Sequence, residues 1–258
     1  MKLRARLRQF SSLCLVLLCS FALTGSAQYV APSGASRFEF QFIRLAYTTH
    51  PDFTRGFGRW ESWMTDAPPA DIHFLQGVRR LTRISAAEEG KGLRPIDDAL
   101  FGYPFIYAVE VGHWYLTDAD AQHLREYLLR GGFLMVDDFH GTIEWATFME
   151  SMRRVFPDRQ VVELAQSDEV FHVLYDLNLR VQIPNVWNAI NGRTYEKDGY
   201  TPHWRGIYDD GGRLMVAINF NMDLGDGWEH ADNPQYPTRY TALAYRFGIN
   251  YLLYSMTH

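Results

Sequence analysis

Gly131-Gly132-Phe133-Leu134-Met135-Val136-Asp137-Asp138-Phe139-His140-Gly141-Thr142-Ile143-Glu144 reads as a helix end, a buried strand and a polar tip running into a new helix. The two glycines suit a helix C-terminus, where a left-handed residue closes the last turn. Phe133 to Val136 is an unbroken apolar run, the pattern of a strand covered on both faces. Two carboxylates and an imidazole end it. In open α/β sheets ligands bind beyond the carboxyl ends of the strands, so this tip is the first place to look for a site.

The neighbouring sequence repeats the pattern. Residues 105–109 form a second apolar run, ending in Glu110-Val111-Gly112-His113-Trp114. Between the two runs, Thr117 and Asp120 have capping-box spacing, with Asp in place of the usual Glu. They predict a helix over 118–130 with Leu124 and Leu128 inward. After the quoted stretch, Thr142 can cap a helix through Val155, whose apolar stripe is Trp145, Phe148, Met149, Met152 and Val155. Residues 160–164 suit a further strand. Upstream, residues 38–47 alternate apolar and polar as a strand with one wetter face. A loop at 48–58 carries His50, Asp52 and Arg55, and a short helix is expected over 59–64. Pro68-Pro69 opens a helix at 70–80, then a short strand at 82–85 and a loop at 88–98. The expected fold is α/β: a flavodoxin-like three-layer sandwich, mostly parallel, with helices on both faces.

Beyond residue 170 the alternation stops. Short apolar pieces fill 171–184, and 185–204 is loop-like. Residues 205–208 and 213–220 flank Asp209-Asp210-Gly211-Gly212, a hairpin turn. An acidic loop over 225–237 holds Trp228, Glu229, His230 and Asp232, and reads as a solvated loop or a lid. A C-terminal amphipathic helix spans 238–256.

The first 27 residues read as a secretory signal peptide: basic Lys2, Arg4, Arg6 and Arg8, an apolar core at 13–23, and Gly25-Ser26-Ala27 before the cut. Residues 28–37 are a linker and 38–258 a single domain. That places the protein in the periplasm or outside the cell, with no stable membrane span after cleavage. A lipid anchor at Cys19 is disfavoured because Leu18 stands where a small residue is needed. Both cysteines, Cys14 and Cys19, lie in this leader. The mature chain therefore has no disulfide, thiolate nucleophile or cysteine metal site. A net charge of -5 with no basic stripe argues against nucleic acid.

Three clusters at strand ends could carry chemistry. Glu110 and His113, with Trp114, follow one strand. Asp137, Asp138 and His140 follow another. Asn219, Asn221 and Asp223 end the hairpin strand and share one strand face, which suits oxygen ligation of calcium. Carboxylates with neutral imidazole suit a divalent ion such as Zn, Mn or Fe, or an acid/base pair in which crowded carboxylates raise one pKa. The bland alternatives are that one of Asp137 and Asp138 caps the next helix and that His140 bonds a carbonyl. The Asn-x-Asn-x-Asp run lacks the glycine and glutamate of a calcium loop, with Leu224 and His230 in their places. There is no glycine-rich phosphate loop and no G-x-S-x-G elbow.

Tyr103-Pro104-Phe105 through Asp137-Asp138-Phe139-His140-Gly141 resembles a bacterial family, domain of unknown function (DUF) 4159. Val155-Phe156-Pro157-Asp158-Arg159, Trp204-Arg205-Gly206-Ile207-Tyr208-Asp209-Asp210, Asn219-Phe220-Asn221-Met222-Asp223 and Ala244-Tyr245-Arg246-Phe247-Gly248-Ile249-Asn250-Tyr251 belong to the same pattern. The family is similar to the class I glutamine-amidotransferase-like (flavodoxin-like) superfamily, which includes trehalose-utilisation-type proteins. The resemblance implies a nucleophilic cysteine near 138–140. None is there, so amidotransferase activity is not implied. Two readings stay open. One is a hydrolase-like enzyme acting on a small polar ligand, with Asp138 as base or ligand, His140 as acid or ligand and Glu110 orienting. The other is a non-catalytic periplasmic module that binds a protein partner.

Overall fold

The structure, a computed structural model, describes residues 38–53 and 61–258. The expected signal peptide and linker, Arg55, and the start of the short helix at 59–64 lie outside the described residues.

Strand β6 (Phe133–Asp137) forms as read and lies in the middle of a seven-stranded sheet. Its neighbour β4 (Phe105–Val109) pairs with it in parallel, from Phe105 opposite Phe133 to Val109 opposite Asp137. Both strands are buried on both faces, and their side chains alternate between two apolar clusters. Phe105, Tyr107, Phe133 and Met135 enter one; Ile106, Ala108, Leu134 and Val136 enter the other. The first cluster takes residues from α1 (Pro69–Leu81), α5 (Leu224–Glu229) and α6 (Thr238–Thr257). The second takes them from α2 (Asp118–Leu129) and α3 (Gly141–Val155). That alternation is why these strands are apolar throughout.

The other strands are β1 (Ile43–Leu45), β2 (Thr48–Thr49), β3 (Lys91–Leu93), β5 (Trp114–Tyr115), β7 (Val162–Glu163), β8 (His203–Tyr208) and β9 (Leu214–Phe220). The large sheet runs β3-β1-β4-β6-β9-β8-β7. Its first five strands are parallel, and β8 is antiparallel to both β9 and β7. Strands β2 and β5 form a separate antiparallel pair. From β1 the chain moves outward to β3, and from β4 it moves the other way to β6 and β9. The order reverses between β1 and β4, so a crevice is expected at the carboxyl ends of those two strands.

Local signals explain several boundaries. Thr117 and Asp120 make the full capping box of α2. Gly131 closes that helix with φ 110°, and the Gly132 amide donates to Tyr127 O at 3.0 Å. The hairpin turn forms as expected: Asp209 Oδ1 accepts from the amides of Gly211 and Arg213.

Four expectations need correction. The second strand is not at 82–85 but at Lys91–Leu93, inside the expected loop; a Cβ on Gly92 would lie 2.9 Å from the Trp63 ring, so glycine permits this close edge. Thr142 does not cap α3. The helix starts at Gly141, whose amide donates to Asn221 Oδ1 at 2.9 Å, while the Thr142 amide donates to Asp198 Oδ1 at 3.0 Å. The stretch at 225–237 is not all loop. Asp223 caps α5 by accepting from the Asp226 amide at 2.7 Å, and Trp228 is buried in the first core cluster. Residues 185–204 contain the short α4 (Val186–Ile190).

Candidate functional site

Three parallel strands end in a non-glycine residue of left-handed backbone or lead directly to one. Glu110 follows β4 with φ 51°, Asp138 follows β6 with φ 52°, and Asn221 follows β9 with φ 62°. The remaining non-glycine residues of positive φ among the described residues are Asp66 (63°) and Lys197 (51°). Such conformations cost on the order of 1–3 kcal/mol and collect where function requires them. Four of the five are ionisable groups that act on one another electrostatically. The surrounding backbone fixes them. Tyr47 Oη donates to the carbonyls of Val109 (2.7 Å) and Glu110 (2.8 Å). The Asp138 amide donates to Met222 O and the Asn221 amide to Phe139 O, each at 3.0 Å, so the ties between β6 and β9 continue past the ladder.

Asp138 and His140 meet. His140 Nε2 lies 3.1 Å from Asp138 Oδ1 and 3.6 Å from Glu196 Oε1. Glu110 and His113 also meet, at 3.2 Å, and the other ring nitrogen of His113 reaches Glu144 at 2.9 Å. Lys197 ion-pairs with Glu144, whose second oxygen accepts from the His140 amide at 2.6 Å. Asp66, Asp223 and Asp226 form a third group, and Asp226, Glu229 and His230 a fourth. Within each of the four groups, potential ligand atoms lie within 4.8 Å of one another.

These carboxylates are crowded and short of cations. Burial, then the charges of Asp138 and Glu144, pushes the Glu110 carboxyl well above its ordinary range, although 23% of its side chain remains open. Burial and the charges of Asp138 and Asp226 do the same to Asp66 and Asp223. Burial raises Asp226 to about 8, against a bond from the Val186 amide. Glu196 is raised by burial, with His140 opposing and Asp138 adding. Glu144 behaves differently. Burial pushes it up, but the His113 bond and the Lys197 charge outweigh that and hold it at about 2. His140 is only 2% exposed, and its Nδ1 is buried without a hydrogen-bond partner. So is Oδ2 of Asp66. Buried polar atoms are normally satisfied, so these two are exceptions in the fold, and Nδ1 is not the ring nitrogen that faces Asp138 and Glu196.

Not every residue singled out from sequence faces this centre. Asp137 Oδ2 accepts from the amides of Leu224 (2.7 Å) and Gly225 (3.0 Å), anchoring the start of α5. Asn219 donates to Val136 O at 3.1 Å and accepts from Tyr251 at 2.9 Å, inside the core. Asn221, past the strand end, bonds Gly141 and the Thr201 carbonyl. The three residues Asn219, Asn221 and Asp223 therefore do not share a strand face: only Asn219 is in β9, and Asp223 caps a helix. Trp114 is buried, stacked on Phe148, and its indole N–H donates to Phe148 O. Ser62 Oγ is 3.5 Å from His113 Nδ1, but Glu110 is nearer to the same nitrogen at 3.2 Å, so the imidazole is held between carboxylates rather than poised on a serine.

The sequence reading missed Asp66, Glu144, Glu196, Lys197 and Asp226. Glu144 had a signal, being four residues after His140 at the start of a helix. The others arrive on connections that periodicity does not describe. Chemically, the arrangement offers oxygen and imidazole ligands for a hard or borderline divalent ion, and in Asp226, raised to about 8, a carboxyl able to donate at neutral pH.

No curated protein matches the sequence. The sequence model of the family described as Domain of unknown function (DUF4159) matches residues 42–256. The match spans both β1 and α6 and everything that builds the acid–imidazole centre, and the chain belongs to this family.

Proposed function

We propose that this chain is an exported protein whose strand-end crevice binds a divalent cation and a small polar ligand, and that it hydrolyses that ligand. The observation that carries the reading is the meeting of Asp138, His140 and Glu196 at a left-handed strand tip, where His140 Nε2 faces both carboxylates. Buried charges are ordinarily paired or bound to metal, and here Lys197 is already taken by Glu144. Asp138, His140 and Glu196 would hold the cation, which would polarise the scissile bond. Glu110, whose carboxyl is pushed well above its ordinary range first by burial, would give the proton to the leaving group as water adds. His113 and Lys197 orient Glu144, which in turn fixes the His140 backbone. A three-layer, flavodoxin-like sandwich is the architecture consistent with the two apolar clusters.

The second reading is a non-catalytic module that binds a periplasmic protein partner. It is favoured by Asp138-Phe139-His140 occupying the place where the resembling superfamily carries its cysteine. Calorimetric titration with Mn2+ and Zn2+, followed by a screen of phosphoester, glycoside and amide substrates on the loaded protein, separates them. Cation binding with turnover abolished by Glu110→Gln supports the enzyme. Cation binding without turnover of any substrate class moves the protein to the second reading.

A further inference from the structure

A groove of about 820 Å³ opens on a different set of residues from the acid–imidazole centre. One wall is α6, which presents Arg239, Leu243 and Arg246. These recur at spacings of three and four, so they share one helix face, with the arginines about 10 Å apart along the axis. Leu179, Val181 and Tyr200 also line the groove. Leu179 is 74% exposed and Tyr200 65%. Apolar side chains left open around a concavity, rather than scattered, mark a binding surface.

The two arginines select the ligand's charge. Both are exposed, and neither forms an ion pair among the described residues, in a chain whose net charge is negative. Arg239 stacks on Tyr240 at 4.6 Å and donates to its hydroxyl; Arg246 lies 5.9 Å from the Tyr175 ring. The guanidiniums are thus steered by aromatic rings and keep their charge for an anion. The groove's size selects the class of occupant. Its volume falls in the range of small-molecule pockets, roughly 300–1,000 Å³. A stable protein interface needs about 20–30 residues a side, far more than this groove offers.

We propose that the groove binds a single alkyl chain ending in a carboxylate, the tail against Leu179, Val181 and Leu243 and the head on Arg239 or Arg246. Gln182 forms part of the groove and donates to the carbonyls of Gly199 and Asn221, so its own amide protons are used by the fold. Of the groove's other polar residues, Thr194 and Tyr200 carry neutral hydroxyls, so the arginines are its cationic groups for a charged head.

The test is calorimetry of the full chain with monomeric laurate, alongside dodecyltrimethylammonium, which has the same tail and the opposite charge. Saturable binding of laurate is expected, weakened at least about tenfold in the double variant Arg239→Gln/Arg246→Gln. Val181→Glu, which puts a like charge on the wall, should weaken it similarly. Thermal melting confirms that each variant is folded, and both arginines are exposed, so the core is untouched. Equal affinity for the cationic amphiphile, no loss in the folded variants, or binding only to phosphatidylglycerol vesicles with none to monomeric laurate would each overturn the assignment.

Discussion

His140 Nε2 lies 3.1 Å from Oδ1 of Asp138, and Asp138 holds a left-handed φ of 52° where β6 ends. The contact and the strain coincide at one residue. Asp138→Gly removes a side chain from a backbone conformation that glycine adopts freely, and removes one charge from a crowded group. In metal-free protein we expect this substitution to stabilise the fold by about 1 kcal/mol while eliminating cation binding. Chemical denaturation with and without Mn2+ measures both. Destabilisation of the metal-free protein would mean that the Asp138–His140 bond outweighs the strain.

The raised carboxylates give the metal-free protein an inverted pH dependence. Asp226 has an ordinary pKa of 3.8 and is pushed up to about 8 in the fold, and Asp66 and Asp223 shift in the same direction. Between the unfolded and folded values the native state binds more protons than the unfolded one, so stability falls as pH rises. One proton taken up on folding corresponds to about 1.4 kcal/mol per pH unit, and the three carboxylates, close enough to interact, share their protons rather than each adding that slope in full. The metal-free protein should melt at a higher temperature at pH 5 than at pH 8, and saturating Mn2+ should flatten the difference. A melting temperature that climbs from pH 5 to 8 without metal would contradict the crowding.

Gly112 makes room for Glu144. A Cβ there would lie 2.4 Å from Glu144 Cβ, and α3 holds Glu144 in place. Gly112→Ala should push the carboxylate off His113 and Lys197 and cost about 1–3 kcal/mol of stability. Because Glu144 orients rather than ligates in the proposed site, cation affinity should fall about 10–100-fold rather than vanish. Unchanged affinity would leave Glu144 a purely structural residue.

Arg44 and Asp71 test the frame beneath the site. Their ion pair, at 2.7 Å, is almost wholly buried, and Arg44 also donates to the carbonyls of Trp63 and Thr65 beside Asp66. Arg44→Met strands the Asp71 carboxylate and should cost about 3–5 kcal/mol. Arg44→Met/Asp71→Leu should recover much of that loss, read from denaturation midpoints.

The sequence announced what local patterns encode. The runs at Phe105 and Phe133 had to be buried strands, Thr117 and Asp120 had to cap a helix, and Asp209 to Gly212 had to turn. The meeting of Glu110 with His113, and of Asp138 with His140, followed because each pair sits at one strand tip. Strand β3 was invisible because Lys91-Gly92-Leu93 is an edge with no apolar run to mark it. Glu196 and Lys197 were invisible because they come from a connection more than 50 residues away: Lys197 is 53 positions from Glu144. The alternation of Asn219, Asn221 and Asp223 misled because Asn221 turns left-handed and ends the strand's period of two.

Metal content is the direct test of the central claim. The protein would be purified without chelator and analysed by inductively coupled plasma mass spectrometry beside Asp138→Asn and His140→Ala. Stoichiometric divalent metal in the parent, absent from two variants that remain folded, is the result predicted by the meeting of Asp138, His140 and Glu196. A metal-free parent that also fails to take up Mn2+ or Zn2+ on titration, with both variants equally stable, would contradict it.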